Sequence, residues 1–439
     1  MEVDPKVYVA HNGDIILHQV RVSQRITPIT VHPPPSLLPL FPKLRAVKYA
    51  CPDSFLLPLF SWWSGPSLTE LEICRIKGDL ASQTVFDFVS NIGTLYPNIS
   101  TFAFNTFVDK DTPHAMIQAL SETLRNWKHL VHVHLNIHDL DIAAYEHLVR
   151  LESLTSLTLG LRLVDHCLPR LRQAALPKKP FPALMDLTIV DRGYHLPSVV
   201  EWLKFHHLSP SSLTCTLEYS FGDPQEITDL YRTIAAQFCQ QSLETIVLED
   251  YDHATSVPVN SIRPLFSFSH LRCVNIARFC APSLSDDDLL DLATSWPSLQ
   301  TLYLTYYIEP EAPMPTFKGF FRLLQHCPGL QALAIVIDTR GSEWIDIARP
   351  VVRSHLLDDL GLGNSALDDP KRVASILRAV FPSLEEVNTN WWRNYPLDCL
   401  PDCETQWALW GEVNNHLDEL RECPDSDGGC DRAVLQSTA

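Results

Sequence analysis

The sequence predicts an α/β solenoid in irregular units of about 28 residues, with short parallel strands lining a concave sheet and helices forming the outer layer. Three observations carry the prediction. A leucine-like residue followed by apolar residues at +3 and +5, as in "WPSLQTLYL" from Trp296, returns in "CPGLQALAI" from Cys327 and in "FPSLEEVNT" from Phe381. The stretches between such phrases carry apolar residues three to four apart, as amphipathic helices do. A bulky residue followed by proline closes those stretches in Phe41-Pro42, Tyr96-Pro97, Phe181-Pro182, Trp296-Pro297, Cys327-Pro328 and Phe381-Pro382.

Taken in order, residues 1–36 stand outside the repeat as an N-terminal cap segment. "KVYVAHNGDIILHQVRV" reads as one or two strands covering the first unit, and "VHPPPSLLPLFPKL" enters the repeat through stiff polyproline. Its triple proline lacks an arginine-flanked PxxP, which disfavours SH3-type recognition. Residues 37–395 hold about 13 units, whose first apolar residues are Leu44, Leu68, Ile99, Leu130, Leu154, Leu184, Leu213, Leu243, Leu271, Leu299, Leu330, Leu357 and Leu384, spaced 24 to 31 residues apart. The Leu213 phrase, "SLTCTLEY", has its next apolar residue one place late and is assigned on spacing.

Each phrase makes a short strand, because residues two apart share a face. "HAMIQALSETLRNW", "LSDDDLLDLATSW", "TFKGFFRLLQHC" and "DDPKRVASILRAVF" make helices, with Ser285 and Asp368 suited to N-cap and Asp286 to Asp288 favourable at a helix amino end. The triple aspartate is therefore read as capping before metal binding. Proline pushes the residue before it out of the helical region, so each helix stops there. Residues 396–422 are expected to form a capping helix, with Trp407, Trp410, Val413, Leu417 and Leu420 at helical spacing, and residues 423–439 a disordered tail. Trp391 and Trp392 are read as core plugs before ligand anchors.

The LxxLxL pattern resembles the leucine-rich-repeat family over roughly residues 40–395, which implies a horseshoe with helices outside. That family usually places Asn or Cys three or four residues after the last strand leucine; here the +3 positions hold Phe279, Tyr307, Asp338 and Trp392, so irregular stacking is expected. The bulky-Pro-x-Leu phrase, the uneven spacing, "LPLFPKLRAVKY", "FLLPLFSWWSGPSLTELEI" and "WALWGEVNNHLDELREC" are together similar to fungal F-box and leucine-rich-repeat proteins. The resemblance implies a substrate receptor of a cullin-type ubiquitin ligase, whose repeats hold a protein and whose F-box docks on a Skp-type adaptor. No Leu-Pro-x-Glu-like segment is recognised before Leu44, so adaptor and cullin are implied as partners if an F-box is encoded upstream.

Charge and chemistry narrow the function classes. Thirty-four basic against 52 acidic side chains leave a net charge of -18, which repels nucleic acid. Neither a secretion signal nor a membrane-length apolar run is present, so a cytosolic or nuclear protein is expected, without membrane association. The sequon at Asn98 is discounted for the same reason. Cysteines such as Cys74, Cys273 and Cys327 read as small buried hydrophobes, and Cys399 with Cys403 lacks the second pair a zinc site needs. No nucleophile elbow, phosphate loop, HExxH helix or paired CxxC appears, and "GLGNS" at Gly361 is a lone GxG; neither enzyme activity nor a cofactor is expected. A hydrolase or metal-binding protein is the distant alternative, and a scaffold unrelated to ubiquitination the nearer one.

Binding is expected instead from the residues at +2, +4 and +6, which the strand pleat turns to the concave face. These give Glu72, His132, His134, Asp186, Thr188, Glu249, Asn275, Thr301, Tyr303 and Thr305 as protein-contacting candidates, on a mixed polar, somewhat acidic surface. His132 and His134 belong to "HLVHVHLNIH" with His129 and His138; two imidazoles on alternate residues suit zinc, but no third ligand stands in the unit, so recognition is the preferred reading.

Overall fold

The turn from helix to strand shows how the repeat phrase works. Trp296, Cys327 and Phe381 are buried helix C-caps with φ of -122°, -118° and -122°, outside the helical region because a proline follows each one. The N–H of the first strand leucine then closes the turn on the carbonyl of the bulky residue, at 3.2 Å for Leu299 and Leu330 and 3.1 Å for Leu384. One local device thus ends a helix, plugs the corner and aims a strand.

The computed structural model describes residues 7–9, 15–17, 43–49, 57, 64–74, 83–105, 114–136, 140–160, 177, 179–191, 196–217, 223–250, 255–277, 279–305, 313–389 and 403–422. Trp391, Trp392, Tyr307, His138, Cys399, the triple proline and the expected tail from residue 423 lie outside these. The chain is an α/β protein that divides into two units, one of residues 1–218 with 236–239 and one of residues 219–235 with 240–439.

In the first unit β1 (Val7–Val9) runs antiparallel to β2 (Ile15–Leu17). From β2 onward the pairing is parallel and sequential through β3 (Ala46–Tyr49), β4 (Glu70–Cys74), β5 (Thr101–Asn105), β6 (His132–Asn136), β7 (Ser156–Gly160), β8 (Asp186–Asp191) and β9 (Ser212–Leu217). Helices α1 (Gln83–Leu95), α2 (His114–Asn126), α3 (Ile142–Arg150) and α4 (Leu196–Lys204) alternate with them. The register sets Val47, Leu71, Phe102, Val133, Leu157, Leu187 and Leu213 side by side as one buried row. That row corrects the phase of one unit. Leu213 lies beside Leu187, a second-position residue, so buried Pro210 takes the first position, three residues earlier, and Cys215 the third. The apparent late residue, Leu217, is the one after.

In the second unit α5 (Pro224–Gln237), shared at its last turn with the first, precedes β10 (Thr245–Asp250). Parallel pairing then links β10 to β12 (Cys273–Asn275), β14 (Thr301–Tyr303), β15 (Ala332–Ala334) and β16 (Asp359–Gly361), with Val387 bridging to Leu360 as a last rung. β11 (Thr255–Pro258) and β13 (Cys280–Ser283) make a separate parallel pair. The helices are α6 (Asp286–Ser295), α7 (Phe317–His326), α8 (Pro370–Val380) and α9 (Cys403–Glu422). Not every unit has a helix. Single 3₁₀ turns at Val259–Ser261 and Arg263–Ser267 serve before β12, and residues 335–358 run without a helix, Asp338 bridging to Thr316 and Ala366. Gly341 has a left-handed φ of 64° in that stretch, and Arg372 on α8 pins it by donating to the carbonyls of Ser342 and Ile345.

The triple aspartate has three separate structural roles. Asp288 completes a capping box with Ser285, and Asp287 pairs with Arg322 at 3.2 Å. Asp286 reaches the next helix instead, where its carboxylate accepts from the Thr316 N–H, the Thr316 hydroxyl and the Gly319 N–H at 2.7, 2.9 and 3.1 Å. It therefore caps α7 from outside. Asp369, not Asp368, caps α8, accepting from the Arg372 N–H at 2.9 Å. On α9, Trp410, Val413 and Leu417 are buried as expected, but Trp407 and Leu420, at the two ends of the stripe, remain 50% and 40% exposed.

Candidate functional site

Strand alternation buries one side of each rung and turns the other outward, so the residues between the core positions form rows across each sheet. In the first unit one row runs Ala46, Glu70, Thr101, His132, Ser156, Asp186, Ser212, and the next Lys48, Glu72, Ala103, His134, Thr158, Thr188, Thr214. His132 and Asp186 are exposed; Glu72, His134 and Thr188 are half-buried. The structure thus brings five of the expected residues onto one face, two rungs, or about 10 Å, separating Glu72 from His134 and His132 from Asp186.

Glu72 is the electrostatic centre of that face. Its carboxylate accepts from Lys48 Nζ at 2.7 Å and from the Cys74 thiol at 3.0 Å. Burial opposes its ionisation, but the bonds from Cys74 and Lys48, with the charges of Lys48 and His134, outweigh burial and hold the carboxyl below its ordinary range. Cys74 and Cys273, read as buried, are half-buried at outward strand positions, whereas Cys215, Cys280 and Cys327 are buried.

On the second unit the outward positions include Glu249, Asn275, Thr301 and Tyr303, all half-buried. Tyr303 donates its hydroxyl to Asp359 Oδ2 at 2.5 Å, two strands away, passing over the small side chains of β15. Asn388 Nδ2 reaches the other oxygen of Asp359 at 3.5 Å. Thr305, expected on the open face, is only 1% exposed. The reason is strand length: β14 ends at Tyr303, and beyond it Thr305, Ala277 and Val336 are closed in, so the open face narrows to the first two outward positions. Asp359 stands outside the candidates named from the sequence, although it occupies the +2 position of the Leu357 phrase.

Among the described residues no three His, Cys, Asp or Glu side chains converge as metal ligands would, and no helix is long and apolar enough to cross a membrane. One buried polar pair escaped the sequence. His206 is fully buried, its Nε2 2.6 Å from the Tyr145 hydroxyl and its Nδ1 2.8 Å from the Trp202 carbonyl. A carbonyl only accepts, so Nδ1 carries the proton and Tyr145 donates to Nε2. Burial pushes the His206 pKa down to about 4, against the bond to Trp202, which keeps the ring neutral and structural.

Compared with known proteins, the chain matches no family model and no curated protein.

Proposed function

We propose that the chain is a leucine-rich-repeat protein of horseshoe form that binds another protein on its sheet face without catalysis, as an F-box-like substrate receptor of a cullin-type ubiquitin ligase in the cytosol or nucleus. The observation that carries the binding reading is the pair of outward, mainly polar rows, closed in at Thr158 but otherwise exposed or half-buried, on strands whose opposite side is packed apolar core. A surface of that kind is pre-ordered, so a partner meets charges, hydroxyls and a tyrosine already in place. The ligase role rests on the resemblance of the repeat phrases and the closing helix, and the scaffold reading differs from it only in lacking adaptor and cullin.

Two measurements test the surface and the role in turn. A photo-crosslinking residue at Thr188 or Thr301 should yield a defined protein adduct in cells, and one at Asp229 on the outer surface should not. Equal yields from all three positions would remove the sheet face as the binding surface. Purification of the full-length gene product should bring down the adaptor and cullin; a stable complex lacking both would leave the scaffold role.

A further inference from the structure

The two sheet faces differ in charge balance. On the first, the outward rows carry three carboxylates, Glu70, Glu72 and Asp186, with a lysine among them, Lys48, which pairs with Glu72, and two histidines, His132 and His134. On the second, among the described outward residues of the six rungs starting at Thr245, Cys273, Thr301, Ala332, Asp359 and Glu386, there are three carboxylates, Glu249, Asp359 and Glu386, and no lysine or arginine. The residues just before these rungs add Glu244, Asp358 and Glu385 against Arg272, which is paired with Glu244 at 3.5 Å. Because Leu360 bridges to Val387, Asp359 and Glu386 stand on adjacent rungs, about 5 Å apart.

Asp359 is positioned without being neutralised. Its hydrogen-bond donors Tyr303 and Asn388 are uncharged and fix the direction of its carboxylate. Glu386 beside it is exposed. Tyr303 adds an aromatic surface next to these charges, and an arginine or lysine stem can lie along such a ring while its cation reaches a carboxylate. Small Ala332 and Ala334 under the Tyr303 to Asp359 bond leave the face shallow rather than bulky.

We propose that the sheet face of the second unit docks a basic polypeptide segment, a lysine or arginine of which is seated against Asp359 and Glu386 beside Tyr303. This rests on reading the sheet face as a protein-binding surface, and adds the partner's chemistry and the unit that receives it. Charge complementarity selects the occupant: polyanions are repelled by this face and by the -18 net charge, and a basic segment is drawn to both. Six rungs span about 24 Å, the length of about seven extended residues.

The test uses the full chain and a fluorescent nine-residue peptide alternating lysine or arginine with serine, with a glutamate-for-basic version as control, read by anisotropy at about 50 mM salt. The basic peptide should bind and the acidic one should not. Asp359→Asn with Glu386→Gln should weaken binding about fivefold, from two partly exposed pairs. Glu343→Gln with Glu412→Gln, an equal charge change away from the rungs, should leave it unchanged; both are exposed. Glu386→Gln alone, at an exposed position, keeps the comparison valid if the Asp359 change perturbs folding, which circular dichroism reports. No binding of the basic peptide, or equal loss in both double variants, overturns the proposal. If that happens while the crosslinker at Thr301 still captures a partner, only the basic character falls; if the crosslinks fail as well, the binding reading falls with it.

Discussion

Replacing Gly319 by alanine tests the clasp between consecutive helices, and the sign of the effect is the informative part. Inside a helix this substitution ordinarily stabilises by about 1 kcal/mol, because alanine loses less backbone freedom on folding. Here an added Cβ would stand 2.5 Å from Asp286 Oδ1 and 2.9 Å from Asp286 Cα. The carboxylate could rotate away, at the cost of the bonds it accepts from Thr316 and Gly319, a cap worth about 1 kcal/mol. The Cα cannot move without shifting the start of α6, and overpacking of that kind costs about 1–3 kcal/mol. Set against the helix gain, Gly319→Ala should destabilise by about 1–3 kcal/mol. Gly411→Ala, whose Cβ would meet nothing within 4 Å on α9, should stabilise by up to about 1 kcal/mol. Urea unfolding by tryptophan fluorescence measures both, and hydrogen exchange of the α7 amides localises the first. If Gly319→Ala proves as stable as the parent, Asp286 does not hold α7 as described.

Three further outcomes follow from the packing. His206 has a folded pKa of about 4 against 6.5 for the free side chain, so the unfolded chain binds more protons between those values. Its neutral form contributes fully above pH 6.5, and as pH falls through that window stability should drop by roughly 3 kcal/mol. His206→Gln should flatten this slope; an unchanged slope would place the titration elsewhere. Leu302→Ala, at a fully buried second position, should destabilise by about 2–5 kcal/mol in urea unfolding, and a neutral result would break the β14 register. Cys215, buried with its thiol pushed up to about 12 by desolvation, should resist maleimide in the native state. Thr214→Cys in a Cys215→Ser chain should label readily, since Thr214 lies on the outward row; fast labelling of native Cys215 would reverse that rung.

What could be read from the sequence divides along physical lines. The core positions were legible because packing admits few side chains there, and every first-position leucine-like residue named from the pattern is buried. The bulky residue before proline was legible because its constraint acts between neighbours. Features joined across the chain left no local trace: Asp286 and Thr316 are 30 residues apart, Tyr145 and His206 are 61 apart. Asp368 and Asp369 are equivalent as letters, and only backbone direction selects the second as the cap. The helix-free segment between β15 and β16 is likewise held from a distance, by Arg372 donating to carbonyls 30 and 27 residues away.

The candidate surface is harder to read than the core for a reason built into the pleat. Outward residues follow no pattern of their own, so their identity comes entirely from the phase of the buried ones. At Leu213 the first position is Pro210, which is not leucine-like, so assignment on spacing places the rung three positions out of step. An odd offset exchanges the two faces. Counted from Leu213 as a first position, Cys215 and Leu217 would face outward; in the register that forms, Ser212, Thr214 and Thr216 do, and the first unit's polar rows continue to its last strand. One misphased core residue thus misplaces a whole rung of the candidate surface. The unpatterned charges at Asp359 and Glu386 become neighbours only when the rungs on which they stand are aligned.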